Sequence, residues 1–273
     1  MKLRFSGWLG AILVAATVLV AVISLVWTPY DPTLAHPDVS LAGPSAEHLL
    51  GTDRFGRDTA SRLMAGAQIT VFVGLVAVGI AAVVGVPLGI LAGMRRGTWA
   101  DALVMRSADL LLAFPALLLA IIAGAVWGPS TLTAMIAIGI AGIPSFARVA
   151  RSGTLQVITQ DYISSARISA VPGWKVAWRH ILPNLAGLLI VQASVYFALA
   201  ILAEAGLSYL GLGTAPPAAS WGRMLQDSQS LLGTAPLQAF WPGLAIAATV
   251  LGFNLLGDAL RDLLDPRLKG SAR

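Results

Sequence analysis

The sequence predicts an all-α polytopic membrane protein with six transmembrane helices. Three observations carry that prediction. The chain is 57% hydrophobic and only 11% charged over 273 residues, with a mean hydropathy of +0.79. A soluble domain holds about a quarter charged residues, and no soluble core of this size hides so much apolar surface. Six uncharged apolar runs fall at about 9–27, 69–93, 110–127, 130–147, 185–203 and 239–257. Each approaches the ~20 residues that cross ~30 Å of hydrocarbon, and helices satisfy their own backbone groups there. With the N-terminus placed in the cytoplasm, 14 of the 18 Lys and Arg residues fall on the inner side. Only Arg54, Arg57, Arg62 and Arg223 fall outside. This is the positive-inside pattern, with both termini cytoplasmic in a multi-pass inner-membrane protein. The net charge of +5 is then a topology signal, and no nucleic-acid partner is expected.

The chain divides into an anchor helix with its outer loop over 1–68 and a five-helix core over 69–273. Lys2 and Arg4 precede the first apolar run, as in a signal peptide. That run exceeds the usual 7–15-residue apolar region of such a peptide, so a retained anchor is expected. The outer loop, about 28–68, ends in Leu50-Gly51-Thr52-Asp53-Arg54-Phe55-Gly56-Arg57-Asp58. Its two Gly residues permit tight turns. Asp58 can cap a helix running through Ser61 and Arg62 into the second span. Asp53, Arg57 and Asp58 are expected to form a local network rather than to touch solute. Gly74, Gly79, Gly85, Gly89 and Gly93 punctuate the second span, where small residues let helices approach closely. Pro87, Pro115, Pro144 and Pro242 suggest kinks. Tight packing and a rocking solute pathway both use such residues. Trp8, Trp27, Trp99, Trp127 and Trp241 lie at or near span ends, where an aromatic belt sits; packing explains any single one equally well.

The long inner loop, at about 151–184, contains Asp161-Tyr162-Ile163-Ser164-Ser165-Ala166-Arg167-Ile168-Ser169-Ala170-Val171-Pro172-Gly173 and then His180-Ile181-Leu182-Pro183-Asn184. A short helix is expected over about 162–170. Pro172 disfavours helical geometry at Val171, and Gly173 permits a sharp turn. A second short helix is expected over 174–181, ending before Pro183. By its residues alone, this loop reads equally as a membrane-surface hairpin held by Trp174 and Trp178, with anionic lipid around Lys175 and Arg179.

Ionisable groups in the spans are few. Glu204 falls at the outer end of the fifth span, and Asn254 and Asp258 near the inner end of the sixth. They are candidate pathway or gate residues if they face the bundle interior, and interfacial groups if they face water. So sparse a set argues against proton coupling through buried acids. The chain has no Cys, which removes disulfides and thiol chemistry. Its three His residues, His36, His48 and His180, are split between the two sides, and no metal site is expected. No Gly-x4-Gly-Lys-Ser/Thr loop occurs, so ATP would have to be used by another subunit. An exporter or channel without an ATPase and a membrane-embedded enzyme are the other classes; the lack of clustered His, Asp, Glu or Cys counts against the enzyme.

The inner loop resembles the cytoplasmic coupling loop of ABC importer permeases. That motif reads Glu-Ala-Ala, three residues, Gly, then about nine residues before Leu-Pro. Here Ser164-Ser165-Ala166 hold the first positions, Ala170 the Gly position, and Leu182-Pro183 the ending. The outer string resembles the Leu-Gly-Thr-Asp-x-x-Gly-Arg-Asp signature of the dipeptide, oligopeptide and nickel uptake subgroup. Ile201-Leu202-Ala203-Glu204-Ala205-Gly206-Leu207-Ser208-Tyr209-Leu210-Gly211-Leu212-Gly213 and Phe253-Asn254-Leu255-Leu256-Gly257-Asp258-Ala259-Leu260-Arg261-Asp262 are similar to the same subgroup. Taken together, the strings most resemble the second, C-type permease of dipeptide importers. The resemblance implies a type I importer fold and a homologous partner permease. It further implies two ATPase subunits that bind ATP and Mg, and an external solute-binding protein. The chain itself would be no enzyme and hold no cofactor. It assigns the coupling contact to Tyr162, Ser164, Ser165, Ala166, Arg167, Ala170, Gly173, His180, Leu182 and Pro183. Loss of the Glu removes one polar contact to the ATPase. Ala for Gly is expected to stiffen the helix, since Gly costs about 1 kcal/mol in a helix interior. Peptide, nickel-chelate and haem-like cargo remain open.

Overall fold

The computed structural model describes residues 5–163 and 169–264. Those residues form helices joined by turns. In chain order they are α1 (Phe5–Ile23), α2 (Thr59–Met94), α3 (Trp99–Ala113), α4 (Ala116–Trp127) and α5 (Thr131–Val157). Then follow α6 (Gly173–Tyr209), α7 (Trp221–Ser228) and α8 (Leu237–Leu264). Five of them, α1, α2, α5, α6 and α8, are long and apolar enough to cross a membrane.

The third expected span, 110–127, needs correction. It is the C-terminal part of α3 joined to α4, and the two helices meet at an angle of 82°. Pro115 explains the break: the residue before it, Phe114, is held extended at φ −93° and ψ 127°. Alone, α4 has 12 residues, or about 18 Å of helix, too little for a bilayer. The pair counts as a sixth span only if taken together. Pro87, Pro144 and Pro242, by contrast, lie inside helices that continue through them.

The core is built on the extensive seam between α2 and α5. Gly85 and Gly89 make it possible. A Cβ on Gly85 would sit 2.5 Å from the Ile143 carbonyl oxygen, and one on Gly89 would strike the Ala147 carbonyl. Small residues thus bring the two backbones together, which is the main source of helix association in lipid. The C-terminal half of α6 closes the core. Tyr196 donates its hydroxyl to the Ile138 carbonyl at 2.5 Å, and its ring meets Phe146 edge-on at 5.9 Å.

The first helix, α1, packs along α8. A Cβ on Gly10 would lie 2.6 Å from the Leu256 backbone nitrogen, and the hydroxyls of Thr17 and Thr249 are 2.9 Å apart. Phe253 of α8 stacks on Phe197 of α6 at 4.1 Å. Outside the bundle, α7 is tied to α2 by Trp221, whose Nε1 donates to the Leu63 carbonyl at 2.9 Å. Trp8, Trp27, Trp99 and Trp127 are exposed, while Trp241 is half-buried.

Candidate functional site

The inner loop is shorter and more helical than the sequence suggests. α5 runs on to Val157 and α6 begins at Gly173, and between them 161–163 are helical too, at the start of the expected helix. Ile163 pins the loop from below: it is fully buried in a cluster with Val176, Ile181 and Leu185. Tyr162 and His180 face each other across the loop, ring centroids 6.1 Å apart. Ser164, Ser165, Ala166 and Arg167 lie outside the described residues, and so does most of the helix expected at 162–170. Its last position does not fit that helix. Ala170 sits in a turn at φ +53°, the left-handed region that favours glycine. The Ala therefore strains the loop where it was expected to stiffen a helix.

The second expected helix does not stop before Pro183. It continues through the span as one helix of 37 residues, Gly173–Tyr209. A π-helical turn at Ala177–Ile181 allows this, and the Leu182 amide donates to the Ala177 carbonyl, five residues back. Proline lacks an N–H and its ring crowds the preceding turn. A widened turn relieves that crowding, as such bulges do. The Asn184 side chain donates to the His180 carbonyl at 2.6 Å, a contact that no local motif announces. Leu182 and Pro183 thus form the joint between the loop and the membrane helix. Gly173, at the start of α6, has among the described residues only the Met94 methyl near its missing Cβ, at 3.5 Å.

Two ion pairs brace the same side. Arg151 grips Asp101 with both Nε and Nη2, at 2.7 and 2.9 Å, and Arg148 reaches Asp109 at 2.5 Å. They fasten α3 to α5 beneath the break at Pro115. Sequence reading missed them because the partners are about 40 to 50 residues apart.

On the opposite side, the string from Gly51 to Asp58 folds on itself. Gly51 and Gly56 have φ of +75° and +74°. A side chain on Gly56 would strike the His36 carbonyl. Thr52 is fully buried, with its hydroxyl on the Val39 carbonyl and its own carbonyl held by Gln238 Nε2 at 2.8 Å. Asp58 is the N-cap of α2: its Oδ2 accepts from the Ser61 amide and hydroxyl, both at 2.7 Å. Its Oδ1 lies 3.0 Å from His48 Nδ1. Asp53 accepts from the Phe55 and Arg57 amides at 2.8 and 3.0 Å and pairs with Arg57 Nε at 2.7 Å.

The unforeseen member is Asp227 on α7. Arg54, Arg57, Arg62 and Arg223 approach its carboxylate at 3.3, 3.5, 3.5 and 3.4 Å. Arg57 and Arg62 are buried. All four arginines that broke the positive-inside pattern therefore converge on one cluster.

The candidate pathway residues do not come together. Glu204 is 1% exposed and accepts from the Ser208 hydroxyl at 2.6 Å. That hydroxyl in turn accepts from the Thr214 amide at 3.0 Å, tying the turn after α6 back to the helix. Asn254 and Asp258 are exposed, one turn apart on α8.

Membrane-length helices, one of them running on from the connecting loop through Pro183, define a polytopic helical membrane protein. Residues 85–270 match the family described as binding-protein-dependent transport system inner membrane component, and the chain belongs to that family. It is 42% identical to the dipeptide transport system permease protein DppC of Alkalihalophilus pseudofirmus, over 95% of this chain and 85% of that one. It is 44% identical to the glutathione transport system permease protein GsiD of Pectobacterium atrosepticum, over 83% and 75%. With the di/tripeptide transport system permease protein DppC of Pseudomonas aeruginosa it shares 39% identity over 97% and 90%. The chain is thus a permease component of an ABC transporter, working with ATPase and further permease subunits, and is not itself an enzyme.

Proposed function

We propose that this chain is one of two homologous permeases in an importer that moves peptides or a related small solute into the cytoplasm. Two ATPase subunits would bind ATP and Mg below it, and a solute-binding protein would deliver cargo from outside. Both termini would face the cytoplasm. The peptide and glutathione names of the relatives support a peptide-like cargo, and do not favour the nickel-chelate or haem-like alternative.

The observation that carries the mechanism is the continuity of α6. A movement imposed at Gly173 is transmitted along one helix to Tyr209. ATP binding would close the ATPase pair, one member gripping the loop between 158 and 172 and the other the matching loop of the partner permease, and closure would tilt α6 with the helices packed on it. The buried Ile163, Val176, Ile181 and Leu185 make the loop and lever move together.

The test is a charge in the loop. Ala166→Glu or Ala170→Glu would bury an unpaired carboxylate against the ATPase, at a cost of several kcal/mol. Expected are normal abundance in the membrane, weakened ATPase association and no uptake. Full uptake by both variants with the ATPase still bound would remove the coupling assignment and leave the lipid-surface hairpin.

A further inference from the structure

Two adjoining apolar cavities flank the start of α6. One, of about 760 Å³, lies between α2 and the first turns of α6, with Pro87, Leu91, Met94 and Trp174 in its wall. The other, of about 510 Å³, continues past Ala82, Phe146, Leu189 and Ala193. The two share Val86, Trp178 and Leu182, and so form one groove.

Its depth and charge name an occupant. On α2 the lining extends from Ala82 to Arg95, roughly 20 Å at 1.5 Å per residue. That is about half of a bilayer counted with its headgroups, or one leaflet. Arg95 is the one charged side chain among the described lining residues. It is the C-cap of α2, exposed at the groove's mouth and followed by the exposed Arg96. Lys175 and Arg179 are exposed on α6 beside Trp174 and Trp178, which are 71% and 72% exposed. Cations at one end and only apolar wall behind them complement a molecule with one anionic head and long apolar tails. Basic sites between membrane helices hold anionic headgroups in this way.

We infer that the groove holds one anionic phospholipid, its phosphate on Arg95 and its acyl chains along Val86, Trp178 and Leu182. The leaflet is the inner one in the proposed orientation; the site itself does not depend on cargo or on the ATPase. The lipid lies between α2 and the turns that lead from the loop into α6. It therefore braces the lever against the span, and acidic lipid tunes how firmly the two move together.

Photoreactive phosphatidylglycerol and phosphatidylcholine, each incorporated into nanodiscs with the assembled transporter, test this without ATP or cargo. Phosphatidylglycerol is expected to label peptides spanning 86–95 and 174–186 several-fold more than phosphatidylcholine does. Arg95→Glu, at an exposed helix end, should abolish that preference. Val86→Trp, which fills the groove without changing charge, should lower labelling by both lipids. Equal labelling by the two lipids, labelling unchanged in both variants, or crosslinking of these positions to another subunit would each overturn the assignment. The readout is independent of uptake, so it stands or falls separately from the coupling proposal.

Discussion

At Asp227 four guanidinium groups come within 3.5 Å of a single carboxylate. Removing it leaves Asp53 as the one carboxylate, among the described residues, beside the buried Arg57 and Arg62. Breaking a buried pair costs about 3–5 kcal/mol, because a charge is left without compensation. Asp58→Ala removes a helix cap, typically worth about 0.5–2 kcal/mol, together with the contact to His48. Asp227→Ala should therefore lower the thermal midpoint of the detergent-solubilised protein more than Asp58→Ala does. The reverse order would reject the cluster as the fastener of the outer face. Unchanged stability with altered solute preference would point instead to a substrate role. Ala170 makes the opposite kind of prediction. A non-glycine residue in the left-handed region costs roughly 1–2 kcal/mol, partly offset by glycine's greater freedom in the unfolded chain. Ala170→Gly should raise stability by about 1 kcal/mol, seen as a higher midpoint; a drop would show that the turn is held by something other than backbone preference.

Among the elements, the seam between α2 and α5 shows why equal residues in a sequence are unequal in a fold. Gly79 and Gly89 look alike in the second span. Among the described residues, Gly79 has nothing within 4 Å of its missing Cβ, whereas Gly89 faces the Ala147 backbone. Gly89→Leu should force the helices apart, an overpacking cost of about 1–3 kcal/mol or more, and reduce membrane abundance on an immunoblot. Gly79→Leu should leave abundance unchanged. Equal loss in both variants would mean that Gly79 is covered by a partner subunit. The prolines divide likewise. Pro115 ends a helix, Pro183 is absorbed by a widened turn, and Pro87, Pro144 and Pro242 are carried inside continuous helices. Neighbouring helices decide which outcome occurs, and no local pattern reports on neighbours.

For the whole molecule, the asymmetry of charge supports the proposed orientation, and the cluster around Asp227 gathers its exceptions. Arg54, Arg57, Arg62 and Arg223 lie together and share two aspartates, so they act as one partly neutralised patch. The proposed orientation is checked with single cysteines in a chain that has none of its own. Ser45, Ser230 and Ser152 are all exposed, so accessibility will not confuse the result. Cysteines at 45 and 230 should react with an impermeant thiol reagent on intact cells, and one at 152 should not. Labelling at 152 from outside would invert the map and with it the assignment of the inner loop.

The membrane class, five of the six spans, the cap at Asp58 and the turns at Gly51 and Gly56 were legible in the order of residues. Each depends on local chemistry: hydropathy over a span's length, a carboxylate before a helix, a backbone that only glycine takes easily. The family strings were legible too, because they are contiguous. What the tertiary structure alone decided is what distant segments do to one another. It added Asp227 to an outer loop about 170 residues earlier, paired Asp101 with Arg151, and joined the inner loop to α6 across Pro183. It also sealed Glu204 against Ser208 and left Asn254 and Asp258 exposed. A side chain's sequence neighbours fix its backbone preference, but its charge partners and its burial are set by whichever helix packs against it.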